Sequence, residues 1–113
     1  MKVVQNEIAK NELVKMAQAR FGTLVKAVVD IKKEIMAVDA EMHADEEQLL
    51  IEDGSSSMDL WGINIFPELS RDDWIEFDSM INLKPHLNNR SRGVDDPIIR
   101  EKIIEIVNRL VKA

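Results

Sequence analysis

Leu60-Trp61-Gly62-Ile63-Asn64-Ile65-Phe66-Pro67 and, soon after it, Trp74-Ile75-Glu76-Phe77-Asp78-Ser79-Met80-Ile81-Asn82-Leu83 decide the fold. In the first run Trp61, Ile63 and Ile65 share one face at the period of two that a strand presents to a core. Pro67 ends it, because proline has no N–H for the ladder. In the second run Ile75, Phe77, Ile81 and Leu83 take one face, and Glu76, Asp78 and Asn82 the other. The link Pro67–Asp73 is short, so the two strands are expected to pair antiparallel. Facing residues then have numbers of constant sum, and the apolar rows coincide only if that sum is even. Ile65 should face Ile75, Ile63 Phe77, Asn64 Glu76 and Gly62 Asp78. A one-residue slip would put an apolar row in water.

Outward from this hairpin, Leu24–Val38 is rich in β-branched residues, with Val25, Ala27, Val29 and Ile31 on one face. It reads as one long strand turning at Asp39-Ala40; a hairpin at Lys32-Lys33 is the alternative, disfavoured because Lys-Lys is poor turn chemistry. Asp39, Glu41, His43, Asp45 and Glu47 alternate with Ala40, Met42 and Ala44, which reads as a further strand continuing into Leu49-Leu50-Ile51. The competing reading is a helix from Asp45, with Gln48 completing a capping box. Asn11–Phe21 reads as a helix closed by Gly22. Pro85–Gly93 is a loop. Asp95-Asp96-Pro97 starts a last helix, whose stripe Ile99, Ile103, Ile106 and Leu110 is widened by Ile104, Val107 and Val111. The expected architecture is α+β and two-layer: helix, about four antiparallel strands in a meander, helix, with both helices on one sheet face and residues 1–113 as a single domain.

Composition bounds the chemistry. The 113 residues are 45% hydrophobic and 32% charged, enough apolar material for a core and too much for a disordered chain. Cysteine is absent, which removes disulfides, thiolate metal sites and thiol nucleophiles. The longest stretch free of charged residues is Leu60–Pro67, too short to span a membrane. The start of the chain lacks the apolar core of a secretion signal, so a cytoplasmic setting is expected. The net charge of −6 disfavours nucleic acid as a partner.

The segments His43-Ala44-Asp45-Glu46-Glu47, Glu52-Asp53-Gly54-Ser55, Asp59-Leu60-Trp61-Gly62-Ile63-Asn64 and Glu76-Phe77-Asp78-Ser79-Met80-Ile81-Asn82 stand out together. So do Asn89-Arg90-Ser91-Arg92-Gly93-Val94, Asp96-Pro97 and Ile99-Arg100-Glu101-Lys102-Ile103. In combination they resemble a small prokaryotic domain-of-unknown-function family over nearly the whole chain. The resemblance implies a compact protein without an assigned activity and carries no catalytic residues across. One departure is Asp39-Ala40, where the pattern calls for a glycine-rich turn.

Three constellations carry potential chemistry. The alternating acids around His43, Asp45 and Glu47 would line one side of a strand; with a further oxygen from Asp78 or Asp30 they suit a hard divalent cation. Their plain reading is a solvated face that blocks edge-to-edge association. Asn64, Glu76, Asp78 and Asn82 gather, by register, on the sheet face away from the helices, with open space expected beside Asp78 at Gly62. They suit a polar ligand, a metal or a second subunit, or are simply wet. Arg90, Ser91 and Arg92 precede a helix and could hold an anion, although Asp95 and Asp96 oppose one; the plainer reading ties both arginines to the acidic strands. Neither His43 nor His86 has a recognisable partner nucleophile, and no glycine-rich phosphate loop occurs. The reading that follows is a non-enzymatic binding or interaction module that self-associates as a homodimer. The alternatives are a divalent-metal protein, with or without hydrolytic activity, holding calcium, magnesium or manganese weakly, and a binder of phosphate-bearing ligands.

Overall fold

The computed structural model describes residues 1–113. Its centre is a five-stranded antiparallel sheet in the order β1 (Lys2–Val4), β4 (Ile35–Val38), β3 (Val25–Asp30), β5 (Leu60–Ile65), β6 (Ile75–Glu76). Three helices accompany it: α1 (Lys10–Arg20), α2 (His43–Glu52) and α3 (Pro97–Leu110). A separate two-stranded parallel pair, β2 (Ile8–Ala9) with β7 (Val111–Lys112), ties the beginning of the chain to its end.

The α+β expectation holds, and so does the placement of the first and last helices. Val25, Ala27 and Val29, Met36 and Val38, and Trp61, Ile63 and Ile65 form one sheet face. Leu13 and Ala17 of α1 and Ile103, Ile106, Val107 and Leu110 of α3 close over it. Each valine, leucine or isoleucine among them, fully removed from water, contributes about 1.5–3 kcal/mol. The wide apolar arc of α3 is largely used inside the chain, since Val111 leaves the helix to pair in β7 and is buried there. Gly22 closes α1 as expected; its φ is +93° and its N–H donates to the Ala17 carbonyl at 2.6 Å.

Two strand expectations are corrected. Residues 24–38 form a hairpin, not one strand, and Asp30 supplies its turn chemistry rather than the lysines. Its buried carboxylate accepts the N–H groups of Lys32 and Lys33, both at 2.9 Å, and the Ser55 hydroxyl at 2.6 Å. Glu34 takes the left-handed conformation (φ 59°) and is gripped from α3, by Lys102 at its carboxylate and by Arg109 at its carbonyl. Residues 39–47 are not a strand either. Asp39 turns with φ 70°, doing there what a glycine would, and α2 begins at His43. Helix wins because His43, Glu46 and Leu50 then share a buried face. Leu50 joins Val28, Ala37 and Leu60 on the second face of the sheet. That face is therefore partly covered by a helix the alternating pattern concealed.

The hairpin register is the even one. Ile65 faces Ile75 and Asn64 faces Glu76. Pairing stops there, so the expected strand 74–83 shortens to Ile75–Glu76, and Ile63–Phe77 and Gly62–Asp78 never form. No helix is long and apolar enough to cross a membrane.

Candidate functional site

A cleft of about 220 Å³ opens on the second sheet face, between the start of α2 and the segment after β6. It brings together residues from all three constellations: His43 from the first, Asn64 and Asp78 from the second, Arg92 from the third. Lys26 of β3, directly opposite Asn64 in the sheet, completes the polar wall. Met42 and Met80, both well exposed, flank it with flexible apolar side chains of the kind that adapt to a ligand.

His43 is the most constrained member. Only 7% of it is exposed, and its Nε2 lies 2.7 Å from the Ile63 carbonyl oxygen. Burial holds its pKa below the ordinary histidine value, with nearby Lys26 adding to the effect. The neutral ring therefore donates Nε2–H to Ile63 and keeps Nδ1 as a lone-pair acceptor. Nδ1 has no protein partner and is not among the atoms sealed from solvent, so it is open to the cleft.

Beside it, Asn64 donates Nδ2–H to Glu76 at 2.8 Å, while its Oδ1 is buried without a partner. An unsatisfied buried acceptor costs about 1–3 kcal/mol. Asp78 and Arg92 form an ion pair, Nε to Oδ1 at 2.6 Å, as the plainer reading of Arg92 had it. Lys26 takes part in no ion pair; its ammonium lies 5.5 Å from the Phe21 ring centroid. Under α2, Glu46 is wholly buried, and desolvation pushes its carboxyl up to about 10, so it is neutral. One of its oxygens accepts the Ala40 N–H at 3.2 Å and the other has no partner.

The remaining candidates lie elsewhere. Asp45 is exposed on the outer side of α2, beside a larger and more open groove of about 510 Å³. The cation there, Arg20, is already engaged by Asp39 and Glu41. Glu47 is half-buried on α2. Asn82 is fully buried and bonded entirely to backbone. The Arg90 N–H and the Ser91 hydroxyl both hold the chain's own Asp95, whose pKa is lowered chiefly by the Ser91 hydrogen bond. The space expected at Gly62 is filled by Ser79: a Cβ on that glycine would meet Ser79 Cβ and Oγ at 2.5 Å. No group of three or more His, Asp or Glu side chains is arranged to hold a metal ion.

Sequence reasoning missed Lys26 and Glu46. Lys26 lies off the apolar face of Val25, Ala27 and Val29 and carries no signal of its own, because its neighbour Asn64 is supplied by a non-local strand pairing. Glu46 has no role in the strand reading, where it falls on the side of Ala40, Met42 and Ala44; its burial against the sheet comes with the helix, which sets it beside His43 and Leu50.

Residues 2–110 match the model of a family described as "Protein of unknown function (DUF5674)", and the chain belongs to that family. No curated protein and no solved structure matches it.

Proposed function

We propose that this family member is a non-enzymatic binding module and that the cleft at the start of α2 seats a small polar ligand. One observation carries the reading: His43 is pinned through Nε2 to the Ile63 carbonyl and left with a free Nδ1 acceptor at the cleft wall. A buried side chain fixed in one tautomer is prepared in advance for a partner, which lowers the ordering cost of binding. Nothing in the cleft pairs a nucleophile with a base, and the histidine's proton is committed to a backbone carbonyl. The cysteine-free, acidic composition suits a cytoplasmic setting.

The test is an amide-resonance titration of ¹⁵N-labelled protein with a panel of polar metabolites at about 1 mM, a level suited to small ligands. Binding is expected to shift the amides of Lys26, His43, Ala44 and Asn64 together, with the bound compound recovered unchanged. A panel in which no compound perturbs that group would defeat the reading, and so would turnover of a compound that does.

A divalent cation at His43 Nδ1 and Asp78 is the competing reading. It is favoured by the Nε2–carbonyl bond, since metal-binding histidines commonly anchor their second nitrogen in this way. Lys26 and Arg92 at the same wall weigh against it. Self-association belongs to the module reading too, through the outer start of α3, where Ile98 is 79% exposed.

A further inference from the structure

We infer that the cleft selects a ligand bearing an oxyanion, a carboxylate or a phosphate monoester, next to a hydroxyl or amine donor. This rests on the cleft being the ligand seat and names the chemistry it takes.

The charges favour the anion. The protein carries −6 overall, yet the cleft holds two cations, Lys26 and Arg92, against one carboxylate, Asp78. Asp78 is already satisfied through Arg92 Nε, which leaves the terminal guanidinium nitrogens of Arg92 without a protein partner. Lys26 makes no ion pair, and the carboxylate across Asn64 from it, Glu76, is held by the Asn64 amide, so a cation of the cleft wall is left without a direct counter-charge. The start of α2 adds positive character: no side chain caps the helix at Met42, and the residues lining the cleft there include His43 and Ala44. Uncapped N–H groups at a helix start favour negative charge.

The neighbouring donor follows from His43. His43 is nine-tenths buried as a residue, and its neutral Nδ1, open to the cleft and without a protein partner, is set to accept an N–H or O–H from whatever sits there. A bare anion would present only oxygen lone pairs to that nitrogen. At about 220 Å³ the cleft suits a ligand of small-metabolite size rather than a macromolecular segment.

The experiment compares glycolate, inorganic phosphate and glycolamide by amide titration of the whole chain at low ionic strength, with the His43 imidazole nitrogens followed in parallel. Glycolate and glycolamide share a hydroxyl and a size and differ in charge. Glycolate, with its hydroxyl, and hydrogen phosphate, with its P–OH, are expected to shift the Lys26, Ala44 and Asn64 amides and the His43 Nδ1 resonance with a dissociation constant of about 1–10 mM, ordinary for so few atoms. Glycolamide should bind at least about tenfold more weakly. Lys26→Met, which keeps the apolar stem, should weaken the oxyanion about tenfold; Lys26→Gln replaces it if the amide spectrum shows Met to be unfolded. The tighter of glycolate and phosphate identifies which oxyanion the cleft prefers. Equal binding of glycolamide, or unchanged affinity in the Lys26 variant, would overturn the oxyanion assignment while leaving the ligand seat intact. Silence of the cleft toward both anions at about 20 mM, beyond the expected range, would overturn it as well, and the metabolite panel then decides the module reading separately.

Discussion

Asn82 closes the open edge of β5 by bonding Gly62 twice. Its side-chain oxygen accepts the Gly62 N–H at 2.8 Å, and its amide donates to the Gly62 carbonyl at 2.9 Å. This is the pair of bonds a backbone residue opposite Gly62 would have made had the ladder continued. The same amide also reaches the Arg92 carbonyl at 2.9 Å, which fixes the loop that carries Arg92 to the cleft.

Asn82→Ala should therefore cost about 3–5 kcal/mol, because it orphans a buried N–H and two carbonyls at once. Urea denaturation measures it. A loss below about 1 kcal/mol, the cost of an ordinary substitution, would mean that water replaces the amide and that Asn82 does not hold the edge.

Gly62→Ala tests the other side of the contact. Its new Cβ would meet Ser79 at 2.5 Å, so Ser79 or the strand must shift, at about 1–3 kcal/mol for overpacking. Adding Ser79→Gly removes the obstructing atoms and should recover part of that loss, as a double-mutant cycle would show.

These contacts explain what the sequence could and could not reveal. The even register of the hairpin followed from the rule that both apolar rows must reach one core, and Ile65 opposite Ile75 obeys it. The ladder's early end did not, since a single carboxamide stands in for several residues of strand and the pattern of Phe77, Ile81 and Leu83 is unchanged by it. The Lys32-Lys33 turn escapes the pattern because its chemistry sits two residues before Lys32, at Asp30, whose bonds to two lysine N–H groups leave no trace in composition. In the stretch 39–47 acids recur every second residue, yet His43, Glu46 and Leu50 recur at helical spacing; burial against Val28, Ala37 and Leu60 decided between the two periods. Of the site, register puts Asn64 and Asp78 on one face, Asp78 is a candidate partner for His43, and Arg92 is tied to the acidic strands, but these are three separate groupings and not one cleft. Their meeting is not legible, because it depends on the β3–β5 pairing and on α2 crossing the second sheet face.

Glu46→Gln should stabilise the protein at neutral pH. The folded-state pKa of Glu46 is raised, by burial first, from 4.5 to about 10. Between those values the folded state retains a proton that the unfolded chain has released, so stability falls as pH rises through that window. At pH 7 the loss is about 3 kcal/mol, at about 1.4 kcal/mol per pH unit. Glutamine keeps an acceptor for the Ala40 N–H and has no charge to desolvate. A variant whose unfolding free energy still declines between pH 5 and 8 as steeply as the parent's would show that Glu46 is not the group responsible.

His43 acts in the opposite direction. Its pKa is depressed, chiefly by burial, so the unfolded chain binds a proton in a range where the folded protein does not. Its contribution is complete above the ordinary histidine value of about 6.5 and is lost as pH falls below it. In His43→Gln this acid-side slope should disappear, and NMR of the parent imidazole should show the neutral Nε2–H tautomer at pH 6.5. An imidazolium at that pH would contradict the assignment.

Sedimentation equilibrium reads self-association directly. A reversible dimer is expected, weakened by Ile98→Asp, because Ile98 is the most exposed large apolar side chain on α3 and a second copy would remove it from water. A 12.9 kDa species across the micromolar range would exclude it.

Calorimetric titration of calcium, magnesium and manganese into chelator-stripped protein separates the two readings of the cleft. The donors available to a cation are His43 Nδ1 and Asp78, and Asp78 Oδ1 is already held by Arg92. A hard cation bound by so few protein groups, facing Lys26 and Arg92, gains little. The expected dissociation constants are no tighter than about 10⁻³ M for all three ions, the weak end of the range for oxygen-ligated sites. His43→Ala should leave them unchanged, and Lys26→Met should tighten them slightly by removing a like charge. Micromolar manganese binding that disappears with His43→Ala would reverse the conclusion. It would make the pinned histidine a metal ligand, place a cation where the oxyanion is proposed, and require Asp78 to leave Arg92.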